Sequence, residues 1–340
     1  MKRHFFLPQY VCGTRCDKLP IGPDKPWLAP LAGYSDLPFR LLCREYGAAV
    51  CETEMVSAKG LLYKSPGTGD LLKNTSADHP LVVQLFGSSP SDLGEAVTTL
   101  GRNGYRWFDC NFGCSVPKVM RQGAGAALLQ DEDRCLDIAS AMLNATKKME
   151  DTAGAGFKMR LGIEAGKPVL PDLALRLEDL GAAWICVHPR WARQGFAGEA
   201  DWKVLEMLAK RLSIPLIASG DLIEAEDGIK CMRQTGVHGL MYARGALRNP
   251  AIFSEHLALL AGEKPSVKTK KDMANMIIRH MQLISQSCTH EETIFRMRFI
   301  VPRYVRNSPH ARVIRQRLCD CSGWEGFENI LEEFFLSGGN

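Results

Sequence analysis

The sequence predicts an α/β fold, a (β/α)8 barrel followed by a small C-terminal domain made only of helices. Two observations support this prediction. Between residues 27 and 245, eight short apolar runs alternate with longer helical patterns. Strands that are apolar along most of their length belong in a parallel sheet covered by helices, and eight such units match a closed barrel. After residue 250 the alternation stops, so the rest of the chain is predicted to be helical.

The strands are predicted from the apolar runs and the helices from the segments between them. The predicted strands are Trp27–Ala32, Ala48–Thr53, Leu81–Phe86, Trp107–Phe112, Gly156–Arg160, Ala183–His188, Ile214–Ser219 and Gly239–Ala243. The predicted helices are Leu37–Tyr46, Ser91–Asn103, Cys135–Lys148, Leu173–Leu180, Trp202–Leu212 and Ala225–Thr235. An open doubly wound sheet is the main alternative. It is disfavoured because Pro30 stands where a dinucleotide-binding turn requires glycine.

Three regions follow from this pattern. Residues 1–26 form an N-terminal extension, residues 27–255 the barrel and residues 265–340 the helical domain. The segment Gly262–Lys271 is a polar linker that contains proline and lysine. We therefore place the domain boundary between residues 255 and 265.

The net charge of +4 conceals an asymmetry near the C-terminus. Residues 296–317 include seven arginines and no acidic residue, whereas residues 318–340 include five acidic residues and no lysine or arginine. Phe299 and Tyr304 lie within the basic stretch. A run of charge is usually a solvated face, but a stretch of arginines without acidic residues also fits a surface that binds RNA phosphates. On that interpretation Tyr304 is predicted to be available for stacking on a base.

Composition excludes several classes of protein. Hydrophobic residues make up 46% and charged residues 24%, which excludes disordered and collagen-like chains. No apolar stretch approaches the length of a membrane helix, so we expect no membrane association. The basic start of the chain is followed by an apolar run that ends at Pro8, too early for a secretory signal. We therefore expect a cytoplasmic protein.

The twelve cysteines are scattered, and several lie in apolar runs, as buried free thiols do. Cys12, Cys16, Cys319 and Cys321 could together supply four thiolates. Neither pair has the two-residue spacing of a structural zinc site. We expect reduced cysteines and no metal.

In a (β/α)8 barrel the functional site forms at the C-terminal ends of the strands. The predicted ends carry many polar residues, namely Pro30-Leu31-Ala32, Glu52-Thr53-Glu54, Gln84, Asn111 to Cys114, Lys158 to Arg160, His188 to Arg190, Ser219 to Asp221 and Ala243 to Gly245. The last two ends predict a phosphate site. Gly220 lets backbone N–H groups approach an anion, and Arg244 supplies charge.

The other strand ends leave the chemistry open. Lys158 could form a Schiff base, as in an aldolase, or lie as a cation beside an electron-rich cofactor ring. His188 could donate to such a ring or act as an acid or base, and the Gln84 amide could bond a ring edge. Cys114 lies in a glycine-flanked loop, where a thiol can reach a substrate as a general acid or as a nucleophile.

Five motifs in the same order resemble those of the tRNA-dihydrouridine synthase family. They are Leu28 to Arg40, Asp109 to Cys114 with Lys118-Val119 and Ala124 to Leu129, His188 to Arg190, Ile214 to Asp221, and Ala243 to Ala246 with Asn249-Pro250. The resemblance covers about residues 27 to 253, and the helical tail is similar in kind to that family's RNA-binding domain.

The resemblance implies an FMN-dependent enzyme that uses NADPH to reduce a uridine in the D-loop of tRNA to 5,6-dihydrouridine. Cys114 would protonate uracil C5 while a hydride from flavin N5 reaches C6. The implied FMN contacts are Pro30, Leu31, Ala32, Gln84, Lys158, His188, Ser219, Gly220, Asp221, Ala243 and Arg244. The implied substrate contacts are Asn111, Arg190, Arg312, Arg315 and Arg317. The expected partners are tRNA and NADPH, with no obligate protein partner.

Four residues depart from the family pattern. Ser115 follows the catalytic cysteine where the family usually has proline, and Pro189, Ser219 and Ala243 stand where it usually has glycine, asparagine and glycine. None of them is a reacting group. Two other functions remain open: an FMN barrel similar to dihydroorotate dehydrogenase that acts on a free pyrimidine, and a tRNA-binding protein without turnover.

Overall fold

The computed structural model describes residues 7–11, 18–306, 311–321 and 323–336. Its strands are β1 (Trp27–Leu28), β2 (Val50–Glu52), β3 (Val56–Ser57), β4 (Leu81–Phe86), β5 (Trp107–Phe112), β6 (Gly154–Arg160), β7 (Ile185–His188), β8 (Leu216–Ala218) and β9 (Gly239–Tyr242). All their pairings are parallel. β1 pairs with β2 and β9, and β2 also pairs with β4, so eight strands close into a barrel. β3 is an additional short strand beside the end of β4.

Helices cover the barrel and continue beyond it. They are α1 (Leu37–Glu45), α2 (Ala58–Leu62), α3 (Thr68–Leu71), α4 (Pro90–Arg102), α5 (Pro117–Met120), α6 (Glu132–Lys147), α7 (Asp172–Leu180), α8 (Trp202–Ala209), α9 (Ala225–Thr235), α10 (Arg244–Arg248), α11 (Ile252–Leu260), α12 (Lys270–Ser285), α13 (His290–Tyr304), α14 (Ala311–Asp320) and α15 (Gly323–Leu331). A 3₁₀ helix spans Gly125–Gln130, and a π-helical turn spans Glu332–Leu336.

The predicted fold class is confirmed, and each predicted strand corresponds to one strand of the closed barrel. The largest error is at β1, which has two residues instead of the predicted six. Ala29 still bonds to the carbonyl of Tyr242, but Pro30 has no N–H with which to extend the pairing. Residues 30–32 therefore leave the sheet. β3 and the short helices α2, α3, α5 and α10 were not predicted, because they are too short to show a period.

The barrel interior is layered. Its lower layer is an apolar cluster with one residue from most strands, including Trp27, Val50, Val82 and Trp107. Two positions further along β2, β4 and β5, the same inward face carries Glu52, Gln84 and Asp109, all fully buried. The interior therefore changes from apolar to polar towards the C-terminal ends of the strands.

The C-terminal helices pack against the barrel through α1. The His280 ring of α12 lies 5.7 Å from that of Phe39, and Arg279 bonds to Glu45 at 2.6 Å. α13 is held to the loop after β1 by an ion pair between Arg296 and Asp36. This packing gives the helices a fixed position beside the mouth of the barrel.

Among the described residues no helix is both long and apolar enough to cross a membrane. The N-terminal segment packs at the opposite end of the barrel, where the Tyr10 hydroxyl accepts from the amide of Leu81, the first residue of β4. Cys12 and Cys16 lie outside the described residues. Within the described part of the chain, no group of three or more His, Cys, Asp or Glu side chains could hold a metal ion.

Candidate active site

A cavity of about 250 Å³ opens at the C-terminal ends of the strands. Most of the predicted site residues line it: Pro30, Leu31, Ala32, Asn111, Cys114, Lys158, His188, Ser219, Gly220, Asp221, Ala243 and Arg244. Of the site residues predicted within the barrel, two do not line it. Gln84 and Arg190 are buried immediately behind the cavity wall, where they contact residues that line it. The ring of polar strand ends that the sequence indicates is thus brought together around one cavity.

One side of the cavity is lined by Ser219–Asp221 and Arg244, with Arg190 buried behind them, and we call these residues together the anion end. The Asp221 carboxylate accepts from Arg190 at 2.6 Å, from Arg244 at 3.1 Å and from the backbone N–H of Ala200 at 2.7 Å. Gly220 has φ +107°, and a Cβ there would lie 2.5 Å from the His188 ring. Only glycine fits at this position, so the chain can pass close to the ring and to a ligand.

His188 is held as a neutral imidazole. The Arg190 guanidinium lies 3.2 Å from Nε2, and because a guanidinium only donates, Nε2 accepts and the proton stays on Nδ1. Burial, and then the charges of Lys158 and the neighbouring arginines, lower the pKa of His188 to about 2. His188 can therefore donate a hydrogen bond near neutral pH, but it has no proton to give as a general acid.

Beneath the cavity, Glu52, Gln84 and Asp109 form what we call the buried carboxylate layer. The Gln84 amide nitrogen donates to Glu52 at 3.1 Å and to Asp109 at 2.7 Å. Its oxygen accepts from the Asn111 amide at 2.8 Å. Because the Asn111 oxygen accepts from the backbone N–H groups of Gly113 and Cys114, its amide nitrogen faces Gln84, and this fixes the Gln84 oxygen towards Asn111.

Each of the two carboxyl groups of this layer, those of Glu52 and Asp109, keeps its proton near neutral pH. Burial raises the pKa of Asp109 to about 8, although the Gln84 hydrogen bond and Lys158 oppose this. Burial, and then the proximity of Asp109, raise the pKa of Glu52 well above its usual range. One oxygen of each group has no hydrogen-bond partner among the described residues. Lys158, on the neighbouring strand β6, is the cation that faces this layer and also lines the cavity.

The loop that carries Cys114 is fixed by Asn111. The Asn111 carbonyl oxygen accepts from the backbone N–H of Gly113 at 3.0 Å and of Cys114 at 2.7 Å. The Cys114 carbonyl accepts from Ala126 at 2.9 Å, and a Cβ on Gly125 would lie 2.6 Å from that carbonyl. Cys114 is half-buried and faces the cavity. The backbone contacts hold the thiol at the rim, where it can meet a ligand.

Cys110, four residues earlier, shows the contrast with a structural cysteine. It lies on β5, is fully buried, and burial raises the pKa of its thiol well above the usual range. It does not line the cavity, so the placement of Cys114 rather than its residue type makes it a candidate for chemistry.

Several cavity residues were not predicted as site residues. Arg160 lies at the end of β6 and donates to the carbonyls of Gly113 and Gly195 at 3.0 and 2.9 Å. Phe196 is 60% exposed, and its ring lies 4.5 Å from the Arg244 guanidinium. The strand-end rule does include Arg160 but assigns it no role, and Phe196 lies in a long loop without a sequence signal.

The predicted RNA-contacting residues lie outside the cavity. Arg312, Arg315 and Arg317 are exposed on α14, although Arg317 pairs with Glu333 at 2.8 Å. The prediction that Tyr304 is available for stacking is wrong. Its side chain is 4% exposed and its hydroxyl lies 2.8 Å from His280 Nδ1, because the apolar side of α13 faces α12.

Fold and site together define a class of protein: a (β/α)8-barrel enzyme whose cavity combines an arginine-rich anion end, a central lysine and a thiol at the rim. A model of the family described as Dihydrouridine synthase (Dus) matches residues 27–337. The chain belongs to this family, which confirms the predicted resemblance and the prediction of an enzyme.

Two relatives illustrate the similarity. The chain is 31% identical over 295 residues to tRNA-dihydrouridine synthase B of Pseudomonas aeruginosa, with 86% of this chain and 87% of that protein covered. It is 30% identical over 308 residues to the probable tRNA-dihydrouridine synthase of Aquifex aeolicus, with 90% and 94% covered. The match therefore includes both the barrel and most of the C-terminal helices.

Solved structures with a similar fold are more distant in sequence. Histamine dehydrogenase from Rhizobium sp. 4-9 aligns with a TM-score of 0.51 and 12% identity over 79% of this chain. The 6-hydroxypseudooxynicotine amine oxidase from Pseudomonas geniculata N1 aligns with a TM-score of 0.51 and 12% identity over 74% of this chain. This chain spans half the length of each. At such low identity the likeness supports the barrel fold alone.

Proposed function

We propose that this chain is an FMN-dependent tRNA-dihydrouridine synthase that uses NADPH to reduce a D-loop uridine of tRNA. The observation that carries the proposal is the placement of Cys114. Its thiol lines the same cavity as the anion end, so a cofactor phosphate held at that end and a base near the thiol would belong to one site. In this assignment residues 27–255 hold the cofactor and residues 265–340 contact the tRNA. We also propose a cytoplasmic location, where tRNA and NADPH are available.

The residues of the cavity fit FMN. A phosphate suits the anion end, because Arg244 supplies positive charge there. Gly220 also lines the cavity, and without a side chain it lets an anion approach its backbone. Pro30, Leu31 and Ala32 form an apolar wall suited to a flat ring. Lys158 and His188 also line the cavity, and each would offer an N–H donor to the polar edge of such a ring. FMN bound there would supply the hydride for C6 of uracil, with NADPH as the source of the two electrons.

The protein supplies the matching proton and the geometry. Cys114 donates a proton to C5 of the uracil, so that one hydride and one proton together saturate the C5–C6 bond. Asn111 fixes the loop that carries the thiol, and its amide lies at the cavity surface, where it helps to position the base. A uridine has to leave its stack to reach this depth, which costs least in a single-stranded loop.

We propose that Gln84, which lies behind the cavity wall, acts on the site through its hydrogen bond to Asn111. The sequence resemblance makes it an FMN contact, and its carbonyl oxygen is the only part of the amide not directed at a carboxyl group. Arg190 similarly supports the anion end through Asp221 and orients His188. Both residues are expected to affect the cavity through the groups they hold.

The first test uses the purified holoenzyme. We expect flavin absorption bands that bleach with NADPH under anaerobic conditions and recover when unmodified tRNA is added. The Cys114→Ala variant should retain the bands and their bleaching but lose about 100-fold or more in dihydrouridine formation, because only the proton donor is lost. Cys319→Ala is the matched control, since Cys319 is an exposed thiol on α14 outside the cavity.

The possible results separate the alternatives. Unchanged activity of the Cys114→Ala variant would remove Cys114 from the mechanism. Recovery of the flavin bands with a free pyrimidine but not with tRNA would indicate an enzyme similar to dihydroorotate dehydrogenase. A colourless protein that forms a borohydride-trapped adduct at Lys158 would indicate an aldolase, and tRNA binding without flavin would indicate a non-catalytic protein.

A further inference from the structure

We propose that Phe295 and Phe299 on α13 form a stacking site for an unpaired base of the RNA substrate, away from the catalytic cavity. This inference rests on the proposed function, because it assigns a second contact for the same RNA. The two rings are 59% and 58% exposed, and their centroids lie 5.1 Å apart at an interplanar angle of 70°. Exposed aromatic pairs are unusual on a helix that already has a buried face.

The fold of α13 does not require these two rings. Its buried residues are Thr293, Ile294, Met297, Val301 and Tyr304, which form one continuous side of the helix. Phe295 and Phe299 are one turn apart on a different side, as their i, i+4 spacing dictates. The rings therefore contribute little to the core, and each exposes apolar surface to water.

Positive charge continues the same stripe towards the end of the helix. Arg303 lies four residues beyond Phe299, and Arg306 lies seven residues beyond it. Both arginines are exposed, and within the described residues Arg306 makes no ion pair or hydrogen bond. The carboxylates of Glu291 and Glu292 lie at the other end of α13, where Glu292 caps the helix. Flat apolar rings followed by two guanidiniums match a base followed by its phosphates.

The stripe is connected to the mouth of the barrel. Arg303 donates to the Tyr34 hydroxyl at 2.8 Å, and its guanidinium lies 5.4 Å from the Tyr34 ring. Tyr34 belongs to the loop after β1, and Leu31 and Ala32 of that loop line the cavity. An RNA strand with one base in the cavity could therefore continue over this rim towards α13.

A nucleic acid explains the surface better than a second copy of this chain. A stable protein interface buries roughly 1,200–2,000 Å² in total and has an apolar centre, whereas here two rings lie between arginines and glutamates. Stacking on a base needs only the ring faces and tolerates any sequence.

The test compares two double variants of the flavin-loaded full chain. Phe295→Leu with Phe299→Leu keeps apolar side chains but removes the flat rings, and Phe295→Tyr with Phe299→Tyr retains the rings. We expect the leucine variant to bind tRNA about ten-fold more weakly and to raise KM similarly, with kcat unchanged. The tyrosine variant should bind like the wild type. Val11→Ala serves as a control, since Val11 is 47% exposed at the opposite end of the barrel.

Salt dependence distinguishes stacking from loss of charge. The slope of log affinity for tRNA against log salt concentration should be the same for the leucine variant and the wild type, because no phosphate contact is removed. Wild-type affinity in the leucine variant would overturn the proposal. So would a wild-type dimer that the leucine variant converts to a monomer. Failure of the proposed function differs from both, since the wild-type holoenzyme would then not transfer electrons to tRNA.

Discussion

Two neighbouring parts of the barrel interior accommodate buried charge in opposite ways. At the anion end, Asp221 accepts from Arg190 at 2.6 Å and from Arg244 at 3.1 Å, so opposite charges are paired. In the buried carboxylate layer, Glu52 and Asp109 accept, among the described residues, only from the neutral Gln84 amide. The anion end is thus held by paired charges, whereas the carboxylate layer is neutralised by a proton and depends on pH.

The largest expected effect is at the anion end. Asp221→Asn keeps a residue that tolerates the left-handed conformation at φ +55° but leaves Arg190, with 1% of its side chain exposed, without a counter-charge. The free energy of unfolding, measured with denaturant, should fall by about 3 kcal/mol. Asp24→Asn breaks an exposed ion pair with Lys25 and should cost about 0–1 kcal/mol. Equal costs for the two variants would mean that the buried pairing contributes nothing.

The second prediction concerns the carboxylate layer. Because burial raises the pKa of Asp109 to about 8, the folded chain keeps a proton that the unfolded chain releases above about pH 4. For this reason the free energy of unfolding falls as pH rises from about 4 to about 8, by up to about 1.4 kcal/mol per pH unit. In unfolding measured across this range, Asp109→Asn should remove the part of the slope that Asp109 contributes, and the part from Glu52 should remain. Asp137→Asn, an exposed residue of α6, should leave the whole slope unchanged.

His188 gives the opposite pH dependence. Its pKa is lowered to about 2 by burial and neighbouring cations, so below about pH 6.5 the unfolded chain binds a proton that the folded chain does not. Stability from this residue is therefore lost as pH falls below about 6.5. His188→Gln keeps an acceptor for Arg190 and should remove this residue's part of the acid loss. The buried His280, whose pKa is lowered to about 3 by burial, should keep its own part. If the variant and the wild type lose stability equally between about pH 6.5 and 5, His188 titrates normally in the fold.

Between about pH 4 and 6.5, the contributions of Asp109 and His188 to the free energy of unfolding change with pH in opposite directions. Asp109 stabilises the fold more at the lower pH of this interval, and His188 stabilises it more at the higher pH. The contributions of these two residues therefore largely cancel there, and above about pH 6.5 that of Asp109 remains. Relative to the wild type, Asp109→Asn should make the slope of stability against pH more positive, and His188→Gln should make it more negative.

The sequence predicts the barrel more completely than the site. Alternating strands and helices are local patterns, so the eight strands are found with errors mainly at their ends, as at Pro30. The strand-end rule also identifies Lys158, His188 and Cys114 as cavity residues. What it does not predict is which polar groups bond to each other. That Gln84 links two buried carboxyl groups to Asn111 depends on the stagger of three strands around the barrel.

The helical tail shows the same limit. A count of arginines predicts a basic surface, but only the packing of α13 places Tyr304 inside and Phe299 outside. The difference arises because residues five positions apart on a helix point in clearly different directions. Likewise, the acidic segment after residue 318 returns Glu333 to Arg317 on α14. Charge content alone therefore does not tell which arginines are available to RNA.

The smallest predicted effect follows from that last contact. Arg312 makes no ion pair within the described residues, whereas Arg317 is bonded to Glu333 at 2.8 Å and lies over the Phe334 ring. If α14 contacts tRNA phosphates, Arg312→Gln should lower the slope of log affinity against log salt concentration by about 0.7–1. Arg317→Gln should change it less, because Glu333 already neutralises that charge. Equal changes would show that the pair opens on binding, since only a released guanidinium can displace counterions from the RNA.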